Sequence, residues 1–181
     1  MSNILVKAAI RTRFLLTTRE AANKQSSETL QAYLKFAQMI DAESGMKPIT
    51  VPSMIGVDED MRTWSFFMIL SHNAIVNTAI SSTITRLALG EPPPAEKFDP
   101  KTDVMPAAGC GIEQVDVFVN SVSNHLKSIA TLGQLRGTET TPHPLFGNFD
   151  AHKWNCMFAF HMRVHLKQTA FVANALRRIK A

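Results

Sequence analysis

The chain has 181 residues, 45% of them hydrophobic and 19% charged, with a formal net charge of +4. That balance suits one soluble globular domain over 1–181, long enough to bury a core. The positive charge is dispersed and never interleaved with aromatics in a basic run, which argues against nucleic-acid binding. No apolar stretch reaches the roughly 20 residues that a transmembrane helix needs, so a membrane span is not expected. Cys110 and Cys156 lie far apart without a partner spacing and read as reduced thiols of a cytoplasmic protein. Arg11 and Arg13 exclude the apolar core of a signal peptide.

In chain order, the first segment predicts a helix over 3–23 with a poor stripe of Ile4, Ala8, Arg11, Leu15 and Thr18. A second helix over 27–43 carries the better stripe Leu30, Tyr33, Leu34, Ala37 and Ile40, and the two could form one bent helix. Residues 45–60 hold Pro48, Pro52 and Gly56 and read as a long loop. The next helix is expected over 61–89, with Asp60 as N-cap, Gly90 as stop, and Trp64, Met68, His72, Ile75 and Ala79 inward. Pro92-Pro93-Pro94 forbids helix and opens a connection running to about Gly111. A helix over 112–133 places Val115, Phe118, Val122, Leu126 and Ile129 inward. Residues 134–149 read as loop, and Asp150 is a good N-cap for a last helix that reaches the C-terminus. No strand alternation or internal repeat stands out. The expected fold is all-α: an up-down four-helix bundle with an additional N-terminal helical segment.

The last helix carries the chemistry. Trp154, Phe158, His161, His165, Gln168 and Val172 follow at spacings of three and four, the inward stripe of a bundle helix. His161 and His165 are one turn apart, so both imidazoles leave one face and can grip one metal ion. A site needs at least a third ligand. His152 is about half a turn out of phase and faces the other side, while Pro144 holds His143 extended in a loop. His72 lies on its helix's inward stripe, about as far into that helix as His161 is into the last one. His125 could also reach that height, but phase favours His72. The competing reading is three hydrogen-bonded core histidines with no metal.

Several chemistries are absent. No Glu follows His161, so this is not a His-Glu-x-x-His metalloprotease helix. No Glu-x-x-His pair occurs, which argues against a ferritin-like di-iron centre. There is no Gly-rich phosphate loop and no Gly-x-Ser-x-Gly elbow.

Trp64 with Ser71-His72, and above all His143-Pro144-Leu145-Phe146-Gly147 with Trp154, His161, His165 and Gln168, resemble the DinB-like family of metal-binding four-helix bundles. The resemblance covers most of the chain from about residue 60 onward. It implies a divalent metal on His72, His161 and His165, a small-molecule substrate and a homodimer. Family members of known activity are mostly thiol-dependent enzymes such as bacillithiol S-transferases and mycothiol-dependent isomerases. The resemblance therefore implies an S-transferase-like enzyme using a low-molecular-weight thiol, or a small-molecule hydrolase. A non-catalytic metal-binding or ligand-binding protein is the alternative. Zinc or nickel is the expected ion, with iron next, since imidazole suits all of them. The chain departs from the family at Asn73, where Leu is usual, and in the long 45–60 loop. The His143–Gly147 segment reads first as a packed connection and second as a wall of the metal pocket.

Overall fold

The computed structural model describes residues 2–91, 99 and 102–180. Its helices are α1 (Ser2–Leu16), α2 (Arg19–Ala37), the short α3 (Ala42–Gly45), α4 (Phe66–Leu89), α5 (Gln114–Thr131) and α6 (Ala151–Lys180). Helices α2, α4, α5 and α6 form the bundle. Each of α4 and α2 packs against both α5 and α6, so the four close a ring around one core. Phe66, Phe67, Phe118, Phe158, Ile84 and Met162 fill that core.

The N-terminal segment breaks earlier than the sequence suggested. The Thr18 hydroxyl caps α2 by accepting the Ala21 N–H, and the helix then runs unbroken through Asn23–Ser27. Ala22 and Ser26 are the reason, because they are buried and their small side chains face the bundle. Helix α1 is thus a separate arm, and the stripe assigned to it fails: Ala8, Arg11, Leu15 and Thr18 are exposed. Its anchor is Phe14, which is 2% exposed and packs edge-on against Phe149 and Phe160. Burying such a side chain contributes roughly 1.5–3 kcal/mol.

Helix α4 begins at Phe66, not near Met61, because Ser65 is its cap and accepts the Met68 N–H. Residues 59–61 make only a single 3₁₀ turn. Gly90 ends α4 in the left-handed conformation (φ 70°), as expected of a helix stop. The triple proline lies outside the described residues. Asp150 caps α6 by accepting the Lys153 N–H at 2.9 Å.

The hairpin was not anticipated, whereas the 45–60 segment was expected as a loop. Part of the 134–149 loop is a β-hairpin, β1 (Thr141–His143) and β2 (Gly147–Phe149), paired Thr141 to Phe149 and His143 to Gly147. Gly147 takes φ 77°, which the tight turn requires. The 45–60 loop is a strap whose arms bond Ile49 N–H to the Trp64 carbonyl and Val51 N–H to the Arg62 carbonyl. At its tip Gly56 (φ 81°) lies so close to α6 that a Cβ would meet Val164 Cγ1 at 2.7 Å.

Candidate metal centre

His72 projects from α4 toward α6, where His161 and His165 stand on successive turns. The potential ligand nitrogens of the three imidazoles all lie within 4.8 Å of one another. His72 and His161 approach through their Nε2 atoms at 3.3 Å. Tetrahedral ligation at about 2.0–2.1 Å places ligand nitrogens roughly 3.3 Å apart, so this spacing suits two ligands of one ion.

The proton positions support the same geometry. The Val104 carbonyl can only accept, so His72 Nδ1 carries the proton and donates to it at 2.8 Å. His72 Nε2 is left as a lone pair toward the cluster. His165 Nδ1 lies 2.9 Å from Gln168 Oε1, while Gln168 Nε2 donates to the Met61 carbonyl at 2.7 Å. The Met61 contact sets the amide so that Oε1 accepts, which puts the His165 proton on Nδ1 and its lone pair on Nε2. Hydrogen bonds of this kind fix tautomer and ring orientation at metal-binding histidines. His161 differs. Its ring keeps some exposure, but its Nδ1 is enclosed and has no partner.

All three imidazoles are held neutral. Burial pushes the pKa of His72 below the ordinary imidazole value and that of His165 down to about 3. His161 is held well below it by burial first, then by the neighbouring His165 and His72. Neutral imidazole is the form that binds a metal. Trp64 walls the pocket, its ring 5.0 Å from that of His72. Among the described residues no carboxylate joins the cluster. Three convergent neutral nitrogens, two with fixed tautomers, fit a divalent ion with open positions for an outside ligand.

The remaining histidines lie elsewhere. His125, which height alone had left in contention, is wholly buried in a network of its own, 2.9 Å from Ser81 Oγ and 3.0 Å from Asn155 Oδ1. It stacks face to face on Phe158 at 3.5 Å. His152 faces away from the cluster, 3.2 Å from the Phe14 carbonyl and 3.6 Å from Cys156 Sγ. Burial raises the Cys156 thiol to about 12, so it is no nucleophile. His143 sits on the hairpin among Phe146, Phe149 and Trp154.

Sequence reasoning placed Gln168, the partner of His165, on the same stripe but missed the backbone groups around these imidazoles. Val104 and Met61 act through backbone carbonyls, which no side-chain pattern reveals. Asn73, Asn77 and Ser81 carried a readable signal: polar residues at every fourth position of an apolar helix. Asn77 donates to Ser121, while Asn73 Oδ1 and Asn77 Oδ1 are enclosed without partners.

Neither a family model nor a curated protein sequence matches the chain. Among solved structures it is similar to TT2238, described as a four-helix bundle protein, at 20% identity with a TM-score of 0.59. That match covers 83% of this chain and 97% of TT2238. At that identity the likeness establishes the bundle fold.

Proposed function

We propose that this protein is a divalent-metal enzyme of the DinB-like type, in which His72, His161 and His165 hold one ion and a low-molecular-weight thiol reacts with a small-molecule substrate. The observation that carries the reading is the convergence of three neutral imidazoles within 4.8 Å, with His72 and His165 each backed by an acceptor on Nδ1. A divalent ion there would act as a Lewis acid, lowering the pKa of a thiol that enters its open positions. The chain's own residues do the rest. Val104 and Gln168 orient two imidazoles, Trp64 packs beside His72, and the bond from Gln168 to Met61 ties the turn that follows the strap to the centre. Among the described residues no carboxylate joins the cluster as a general base, so the acidity of the metal-bound thiol or water would have to come from the ion itself.

The test is conjugation. Metal-loaded protein is mixed with an electrophilic aromatic substrate and, in turn, bacillithiol, mycothiol, glutathione and cysteine. Turnover with one of the thiols, abolished by a chelator and restored by added metal, is expected. Metal-loaded protein that turns over none of them, while hydrolysing a small ester or amide, would replace the transferase reading with a hydrolase.

A further inference from the structure

Basic residues that the sequence disperses are gathered by the fold along one side of α6. Neither α1 nor the 30-residue α6 contains an Asp or Glu, although the chain has 15. Arg163, Lys167, Phe171, Asn174 and Arg178 follow each other on α6 at spacings of four, four, three and four, and all are exposed. They form one straight stripe about 22 Å long, at 1.5 Å rise per residue. Arg163 and Lys167 each stand two residues past a histidine of the candidate centre. That is about 200° round the helix, so the stripe faces away from the centre.

Helix α1 extends the line of cations. Phe14 packs on Phe160 with ring centroids 6.0 Å apart. Beside it the exposed Arg13 donates to Gln25 Oε1 at 3.2 Å, and Gln25 Nε2 donates to the Ala159 carbonyl at 3.1 Å. Arg13 is thereby tethered to α6 one turn before Arg163.

This charge is not neutralised within the chain. Among the described residues none of Arg13, Arg163, Lys167 and Arg178 makes an ion pair. On α2, which packs beside α6, Glu20 follows Arg19 and Glu28 is paired with Lys24 at 3.8 Å. Asp58 and Asp60 are exposed near Met61, whose carbonyl is bonded to Gln168, so they belong to the histidine side of α6.

Apolar groups accompany the cations. Phe171 is 40% exposed in the middle of the stripe. At its edge the strap tip rests Gly56 on Val164, next to Arg163, and carries Ile55 outward at 90% exposure. Cations beside exposed apolar side chains complement an anionic lipid surface, which attracts the charges and takes the apolar groups into its headgroup boundary. The phosphates of a nucleic acid would match the cations but offer nothing to Phe171 and Ile55. Among the described residues no helix is long and apolar enough to cross a membrane, so the contact is with the surface alone.

We propose that the stripe of Arg163, Lys167 and Arg178, headed by Arg13 and flanked by Phe171 and Ile55, docks the protein on an anionic lipid bilayer. The inference is independent of the metal reading, because the stripe and the three histidines lie on different sides of α6.

The test is cosedimentation of the full chain with vesicles of equimolar phosphatidylserine and phosphatidylcholine, beside vesicles of phosphatidylcholine alone. Binding to the anionic vesicles only, released by high salt, is expected. Arg163→Gln/Lys167→Gln should weaken it by on the order of tenfold, and Phe171→Ser by a smaller factor. Lys24→Gln/Lys35→Gln removes the same charge from exposed positions on α2 and should bind as wild type does. Circular dichroism confirms that each variant is folded, and Phe171→Ser keeps the test open if the double variant of α6 is not. Wild-type protein that stays in the supernatant would overturn the inference. So would equal losses in the α2 and α6 variants, since net charge would then act without the stripe. Release of the protein from anionic vesicles by a short DNA duplex at equal phosphate concentration would assign the stripe to nucleic acid instead.

Discussion

His125 sits at the centre of the bundle with both ring nitrogens engaged. Asn155 Nδ2 donates to Asn23 Oδ1, so Asn155 Oδ1 faces His125 and accepts its Nε2–H. His125 Nδ1 then shares the Ser81 hydroxyl with the Asn77 carbonyl. This arrangement suits the neutral ring, and burial lowers its pKa to about 4. An unfolded histidine titrates near 6.5. Between those two values the unfolded chain binds a proton that the folded chain refuses. The contribution to stability is complete above about pH 6.5 and is lost as pH falls toward about 4. The slope in that window is about 1.4 kcal/mol per pH unit for this one group. Denaturant unfolding of wild type and His125→Gln should therefore show the variant less stable near neutrality, with the gap narrowing by on the order of 1 kcal/mol or more by about pH 5. Parallel pH profiles for the two proteins would show that His125 is not the group responsible.

At the scale of elements, end signals were readable where the chain itself supplies the cap. Gly90 and Asp150 mark the end of α4 and the start of α6 as their chemistry requires. The break between α1 and α2 was misplaced because the polar run Asn23–Ser27 resembles a linker, whereas burial of Ala22 and Ser26 keeps that stretch helical. The hairpin escaped notice because strands of three residues are too short to show alternation. In α1, Phe14 folds back onto Phe149 and Phe160. Leu5 and Leu16 remain 72% and 79% exposed, and Val6 and Leu15 are also solvent-facing. Apolar residues grouped this way on one arm favour self-association, and a closed two-fold dimer is the simplest form. Light scattering at several concentrations should give twice the chain mass, falling to one chain for Leu5→Glu/Leu16→Glu. A wild-type monomer at high micromolar concentration would contradict this.

For the molecule as a whole, the ring of helices explains why residues 89 positions apart in sequence meet, as His72 and His161 do. Helices α4 and α6 are neighbours in that ring, and His72 on the first meets His161 and His165 on the second. The bundle and the trio were legible because both rest on periodicity: inward phase on α4, and an i, i+4 pair on α6. The surroundings were not, because the Val104 and Met61 carbonyls are brought in by irregular segments whose path depends on packing. We propose that His72, His161 and His165 form a metal centre. Elemental analysis of freshly purified protein, beside His161→Ala/His165→Ala, tests it most directly. Close to one divalent ion per chain is expected for the wild type and almost none for the double variant. Full occupancy in the double variant, or none in the wild type with both proteins folded, would contradict it.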